Sequence, residues 1–482
     1  MESDGLSRTI EAPGTQDSKT ATRDGIIREP QSFAHLYRCS RMRSTVVLAA
    51  LLCAPSLVLS QARATSTDSL SKAEHSAARH ASTHDTEALA LLERLVNVNS
   101  GTQNVAGVRE VGRMLRAEYD ALGFTTRWED GAAFGRAGHL VAERTGVGPR
   151  VLLIGHLDTV FETDSPFQRW KRLSDSTAKG PGSTDMKGGD VVMLYALKAL
   201  KAAGQLERMS ITVVLNGDEE SPGAPIAAAR RVLTEAGARA QIALGFEDGD
   251  GDVGTAVAAR RGFTGWTLRV TGTPAHSSQI FRADIGPGAI YEAARILNEF
   301  RLQLGGDPLR TFNAGVALGG TTVTPDSTGT RGTAFGKSNV IPEHFIVSGD
   351  LRVISAEALS AAKATMSAIV ATASPHTTAT LTFDDGYPPM APTAGNTALL
   401  AQFNRASRNL GFGEVGMDNP ARAGAADVSF IASMVPHVID GLGPGGTGGH
   451  TANETLQTRT LAIQIARTAI LLHRITRASV VP

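Results

Sequence analysis

Five short stretches carry side chains that could hold cations or move protons: "GHLDTVF" (155–161), "GPGSTDMKGG" (180–189), "NGDEESPG" (216–223), "GFEDG" (245–249) and "GGHTANETL" (448–456). They offer His156, Asp158, Asp185, Glu219, Glu220, Glu247 and His450. The apolar runs "RVLLIGHLD", "MSITVVLNGD" and "AQIALGFED" each end in these groups. Asp185 sits in a glycine-rich turn just before a helical pattern, and His450 follows a glycine loop. In open parallel sheets, ligands bind beyond the carboxyl ends of the strands. Two histidines and several carboxylates meeting there would concentrate buried negative charge at a high cost. A pair of divalent cations removes that cost. Histidine nitrogen with carboxylate oxygen is a zinc-type donor set, and two metals need one bridging carboxylate. The count fits: two histidines, one bridging aspartate and one terminal acid for each metal.

The spacing adds detail. His156 can bind a metal through one nitrogen and give its other N–H to Asp158, which fixes the tautomer. Of the adjacent glutamates leaving a strand, Glu220 can turn to the metal while Glu219 faces water as general base. A bound zinc ion lowers the pKa of water to about 7, within reach of a carboxylate base. Each piece alone has an ordinary explanation. A lone strand-end histidine is usually hydrogen-bonded, paired glutamates are usually solvated, and Asp185 would serve as a helix N-cap. All five pieces in order at strand ends favour the metal reading.

The elements that must position these groups are also visible. Continuous apolar strands alternate with the helical stretches "DVVMLYALKALKAAG" and "APIAAARRVLTEAG", which predicts an α/β fold with a mostly parallel sheet covered by helices on both faces. Further helices are expected from Thr86 and over Ala106–Leu122. From Phe263 the pattern changes to alternating strands and two helices in the order β-α-β-β-α-β, a ferredoxin-like α+β module. The first pattern resumes after Pro389. The division is therefore 86–262 and 386–482 for one domain, with 263–385 inserted.

The 482 residues carry zero formal net charge, with 42% hydrophobic and 20% charged residues. That balance gives no reason to expect a nucleic-acid or anionic-membrane partner. Residues 42–62 read as a secretory signal: a basic start, an apolar run from Thr45 to Leu59, and a small-x-small close at Ser60-Gln61-Ala62. An uncleaved anchor is the alternative. Residues 1–41 read as a non-native extension ahead of Met42, and 63–85 as a polar, mobile leader. The two cysteines, Cys39 and Cys53, fall in the removable region, so the mature chain would have no disulfide. A secreted or periplasmic protein with no membrane attachment after cleavage is expected.

With "GTPAHSS" (272–278) and "SNVIPEHFIVSGDLR" (338–352) added, these motifs resemble those of the M20 metallopeptidases, and within them the glutamate carboxypeptidase branch, from about Thr86 to Arg474. The resemblance implies two Zn2+, with Co2+ or Mn2+ as substitutes. His156 and Glu247 would bind one and Glu220 and His450 the other, with Asp185 bridging. It implies Asp158 orienting His156, Glu219 as base, and a cis peptide after Asp185. It also implies a homodimer through the inserted dimerisation/lid domain, in which His276 reaches the partner's site to stabilise the oxyanion. Asn339 would hold substrate polar groups, and Arg352 the terminal carboxylate. A planar guanidinium suits a carboxylate bidentately, although an exposed sheet arginine is the plainer reading of Arg352 alone. Two departures stand out: Glu247-Asp248-Gly249 where Glu-Pro is common, and no basic residue in "DDGYPPM" (384–390). They leave a C-terminal glutamate preference unsupported. The expected activity is carboxypeptidase-like hydrolysis of a peptide or amide bond beside a free carboxylate. The alternatives are an N-acyl-amino-acid amidohydrolase or dipeptidase of the same family, and a non-catalytic binding protein on the same fold.

Overall fold

The computed structural model describes residues 69–326 and 329–477. The extension and signal readings of residues 1–62, with both cysteines, lie outside the described residues. The central sheet has six strands in the order Thr125–Asp130, Gly138–Arg144, Ser210–Asn216, Arg150–His156, Ile242–Gly245, His437–Ile439. The last four run parallel, and the first two are antiparallel to their neighbours. The parallel strands are buried on both faces, which is why they read as unbroken apolar runs. One face packs on helices Lys72–Thr83, Asp85–Val96, Val105–Ala121, Lys187–Ala202 and Thr458–Arg477; the other packs on helix Arg231–Arg239 and the 428–438 segment.

The second sheet is antiparallel, in the order Thr311–Gly320, His344–Arg352, Thr264–Gly272, Thr377–Asp385. Helices Gly288–Leu304 and Ala356–Ala371 cover it and supply its separate core. Ile296 and Phe300 are fully buried there, whereas Ile290 is exposed. This is the ferredoxin-like arrangement expected from the element order. A hairpin, Thr322–Pro325 with Gly332–Phe335, is an addition the pattern did not announce.

Two expectations need correction. The supposed leader is not loose throughout: Lys72–Thr83 is a helix started by a capping box, in which Ser71 and Glu74 bond each other's backbone N–H. Ala77 and Ala81 are buried, and Glu74 pairs with Arg474 of the last helix at 2.6 Å. Its polar composition hid it, because its buried residues are two alanines and a glutamate. Glu74→Ala removes a cap and the carboxylate that faces the half-buried Arg474 guanidinium, which keeps its bond to Asn409, so unfolding in urea should show a loss of about 2 kcal/mol. Second, "APIAAARRVLTEAG" is not one helix. It breaks at Arg230 into Ile226–Ala229 and Arg231–Arg239, because the Arg230 side chain is drawn inward to buried acids.

Candidate metal centre

Strand Arg150–His156 delivers His156 and then Asp158 at its carboxyl end, and strand Ser210–Asn216 delivers Glu219 and Glu220 beside them. Strand Ile242–Gly245 delivers Glu247. Asp185 stands one residue before Met186, the N-cap of helix Lys187–Ala202, and the Asp185–Met186 peptide is cis. Gly189 lets that helix start against the neighbouring strand end, since a Cβ there would collide with the Phe246 carbonyl.

His156 Nε2 lies 3.1 Å from Asp185 Oδ1 and 3.6 Å from Glu247 Oε1. His450 Nε2 lies 2.9 Å from Asp185 Oδ2 and 3.2 Å from Glu220 Oε2. Two donor sets result, His156–Asp185–Glu247 and Asp185–Glu220–His450, each with its ligand atoms within 4.8 Å of one another. They share Asp185, one oxygen facing each side. Glu220 Oε1 is buried and lacks a hydrogen-bond partner, an orphan that a cation would satisfy. The donors therefore fit a pair of divalent ions.

The electrostatics say the same. Burial pushes the Glu247 carboxyl up to about 8, and burial also raises Glu220. Burial would raise Asp185 too, but hydrogen bonds from His156 and His450 hold it well below the usual carboxylate range. Bonding to Asp185 and then Glu220 pushes His450 up to about 11, although its side chain is 60% exposed. Acids crowded upward and imidazoles pulled upward by the same neighbours describe a site where cations displace protons.

Glu219 stands apart. Its carboxyl belongs to neither donor set and makes no hydrogen bond among the described residues, and burial followed by the charges of Asp427 and Glu247 raises its pKa well above normal. It lines a cleft of about 420 Å³ with Asp185, Glu247, Asp248, Arg260 and His450. Asp158 does more than the spacing suggested. His156 Nδ1 is 3.1 Å from its backbone oxygen and 3.4 Å from Oδ1. The same buried carboxylate accepts Thr102 Oγ1 and the backbone N–H groups of Glu219 and Glu220. One aspartate thus sets both the His156 ring and the loop bearing Glu219.

Glu454 was missed as a functional residue, although it lies four residues after His450 in the same motif. Buried, it accepts the N–H groups of Gly182, Thr184 and Asp185, and so shapes the turn that carries Asp185. Glu454→Ala should lower metal affinity roughly 10- to 100-fold, measured by competition with a chromogenic chelator.

The remaining expected residues lie on the second sheet's domain and touch neither donor set. His276 and Asn339 are neighbours: Ser277 N–H donates to the Asn339 carbonyl at 2.9 Å, and His276 bridges to Val340. Both are exposed. His276 Nδ1 accepts from the Ser278 N–H, which leaves Nε2–H as the donor of the neutral ring. Arg352 is half-buried, donates to Asp350 at 2.9 Å and faces the Phe263 ring. Arg260 is not a free charge in the cleft: Asp440 and the Gly424 carbonyl engage it.

A mostly parallel sheet that gathers histidines and carboxylates into two overlapping donor sets defines a metal-dependent hydrolase of the peptidase or amidohydrolase class. The profile of peptidase family M20/M25/M40 matches residues 152–474, and the chain belongs to this family. It is 27% identical over 367 residues to carboxypeptidase G2 of Pseudomonas sp. strain RS-16, covering 75% of this chain and 82% of that one. It is 32% identical over 143 residues to succinyl-diaminopimelate desuccinylase of Gluconacetobacter diazotrophicus, covering 28% of this chain and 36% of that protein. Aminopeptidase PepT of Bacillus cereus superposes with a TM-score of 0.65 at 20% identity, covering 82% and 99% of the two chains. The Bacillus subtilis YXEP protein, a dinuclear metal-binding M20 peptidase, superposes with a TM-score of 0.57 at 17% identity, covering 82% and 99%. At these identities the two structures bear on the fold alone.

Proposed function

We propose that the chain is a di-zinc, carboxypeptidase-type hydrolase that cuts a peptide or amide bond beside a free carboxylate, in a secreted or periplasmic setting. The observation that carries the reading is Asp185, whose two oxygens face His156 and His450 from a position between the donor sets. His156, Asp185 and Glu247 would hold one cation, and Asp185, Glu220 and His450 the other. The cations supply Lewis acidity to a substrate carbonyl and make water acidic enough to be deprotonated near neutral pH.

The chain's own residues supply the rest. Glu219 takes one proton from the attacking water as its oxygen bonds to the carbonyl carbon. It returns that proton to the leaving nitrogen as the C–N bond breaks, and the second water proton passes from the new carboxyl group to the amine, so a carboxylate and an ammonium leave the site. Asp158 keeps the Glu219 backbone and the His156 ring in register. His276, acting from a partner subunit of a homodimer formed through residues 263–385, gives its Nε2–H to the developing oxyanion. Asn339 and Arg352 hold the substrate's polar groups and carboxylate.

Similarity to carboxypeptidase G2 over most of the chain supports this specificity. A second reading, hydrolysis of N-acyl amino acids, is favoured by the similarity to desuccinylases. A panel on metal-reconstituted protein lacking residues 1–62 separates them. Dipeptides and folate-type conjugates should be cleaved faster than N-acyl amino acids, and capping the terminal carboxylate as an amide should stop cleavage. Equal cleavage of the amide would end the carboxylate requirement.

A further inference from the structure

Among the described residues the carboxyl of Glu219 has no hydrogen-bond partner to aim it, so its direction depends on the backbone that carries it. That backbone is held from three sides. Asp158 takes the N–H groups of Glu219 and Glu220 at 3.0 and 3.2 Å. Arg230 donates to the Asp218 carbonyl at 3.0 Å and to Asp218 Oδ1 at 2.6 Å. The third hold comes from outside this part of the sheet: the Tyr387 hydroxyl donates to the Glu219 carbonyl at 2.7 Å.

Tyr387 lies on the return crossing from the inserted domain. Its own carbonyl accepts from the Phe263 N–H at 2.8 Å, and three residues on, Met390 and Arg260 exchange both backbone bonds at 2.9 and 3.0 Å. The two chain crossings between the domains are thus laced together, and the tyrosine projects from the laced segment to the loop of the base. Arg230 also donates to the Tyr387 oxygen at 3.1 Å. A hydroxyl that accepts from a buried cation donates more strongly, because bonds in a chain polarise one another. Arg230 is 1% exposed and is itself fixed by Asp218 and Asp427.

We propose that Tyr387 is a positioning residue for the reaction: from the crossing between the domains, its hydroxyl sets the peptide of Glu219 and so the direction of the base. The proposal rests on the reading of Glu219 as the base. The seating of the inserted domain is thereby felt at the proton-transfer step.

The test is Tyr387→Phe in the full metal-loaded protein, assayed on the best-cleaved compound of the panel above. A phenyl ring fills the same space, and metal content and the unfolding midpoint report that the fold is kept. kcat should fall roughly 10- to 100-fold, the scale of a small misplacement of a catalytic group. KM and metal content should be unchanged. The same substitution in a Glu219→Gln background should cost nothing further, because the group it aims is gone. An unchanged kcat for Tyr387→Phe overturns the proposal. So does an equal fractional loss in both backgrounds, which would mark a structural role. If Glu219→Gln alone keeps the parent turnover, it is the base reading that has failed, and the two failures are told apart by that single variant.

Discussion

Glu219→Gln should lower kcat by roughly 10²- to 10⁴-fold while the chain keeps two cations. The amide is the same size as the carboxyl, and the Glu219 backbone bonds to Asp158 and Tyr387 do not involve the side chain, so the loop stays in place. What is lost is the capacity to take a proton. Glu220→Gln, one residue along, should behave differently. Its carboxylate faces His450 at 3.2 Å, so that variant loses affinity for one cation before it loses anything else. Metal analysis beside turnover distinguishes the neighbours. A Glu219→Gln protein with full metal and full rate would remove Glu219 from the chemistry.

Asp185→Ala should be the most damaging change to metal content. The other ligands each serve one donor set, while Asp185 serves both. Its loss also leaves His156 and His450 without the carboxylate between them, at 3.1 and 2.9 Å. After dialysis against dilute metal, the variant should hold less than one cation per chain, with turnover below that of Glu219→Gln. His450→Ala should keep the His156-side cation. Two tightly held cations in Asp185→Ala would show that the sets do not share it.

How much of this was legible depended on how local the signal was. The parallel strands were readable because burial on both faces leaves an unbroken apolar run, and His156, Glu219, Glu220 and Glu247 because each stands just past the end of such a run. The strands Thr125–Asp130 and Gly138–Arg144 went unread, the first because its residues are half exposed and mostly polar. Helix Lys72–Thr83 was lost to composition: two alanines and a glutamate make its buried face, and its partner Arg474 lies 400 residues away. The same distance effect hid Glu454, which organises a turn some 270 residues earlier, and Tyr387, which reaches back 168 residues. Residue type and spacing pick out a ligand; they do not pick out the group that holds the ligand's backbone.

One consequence lies in the adjacency of His276 and Asn339, whose segments are joined by the Ser277–Asn339 backbone bond. Whichever subunit's site they serve, they arrive as one rigid delivery. Chains carrying His276→Ala mixed with chains carrying Asn339→Ala should therefore never rescue each other, since every site would inherit one fault or the other. If the delivery crosses between subunits, His276→Ala mixed with Glu219→Gln should regain activity, for some hybrids would then contain one whole site.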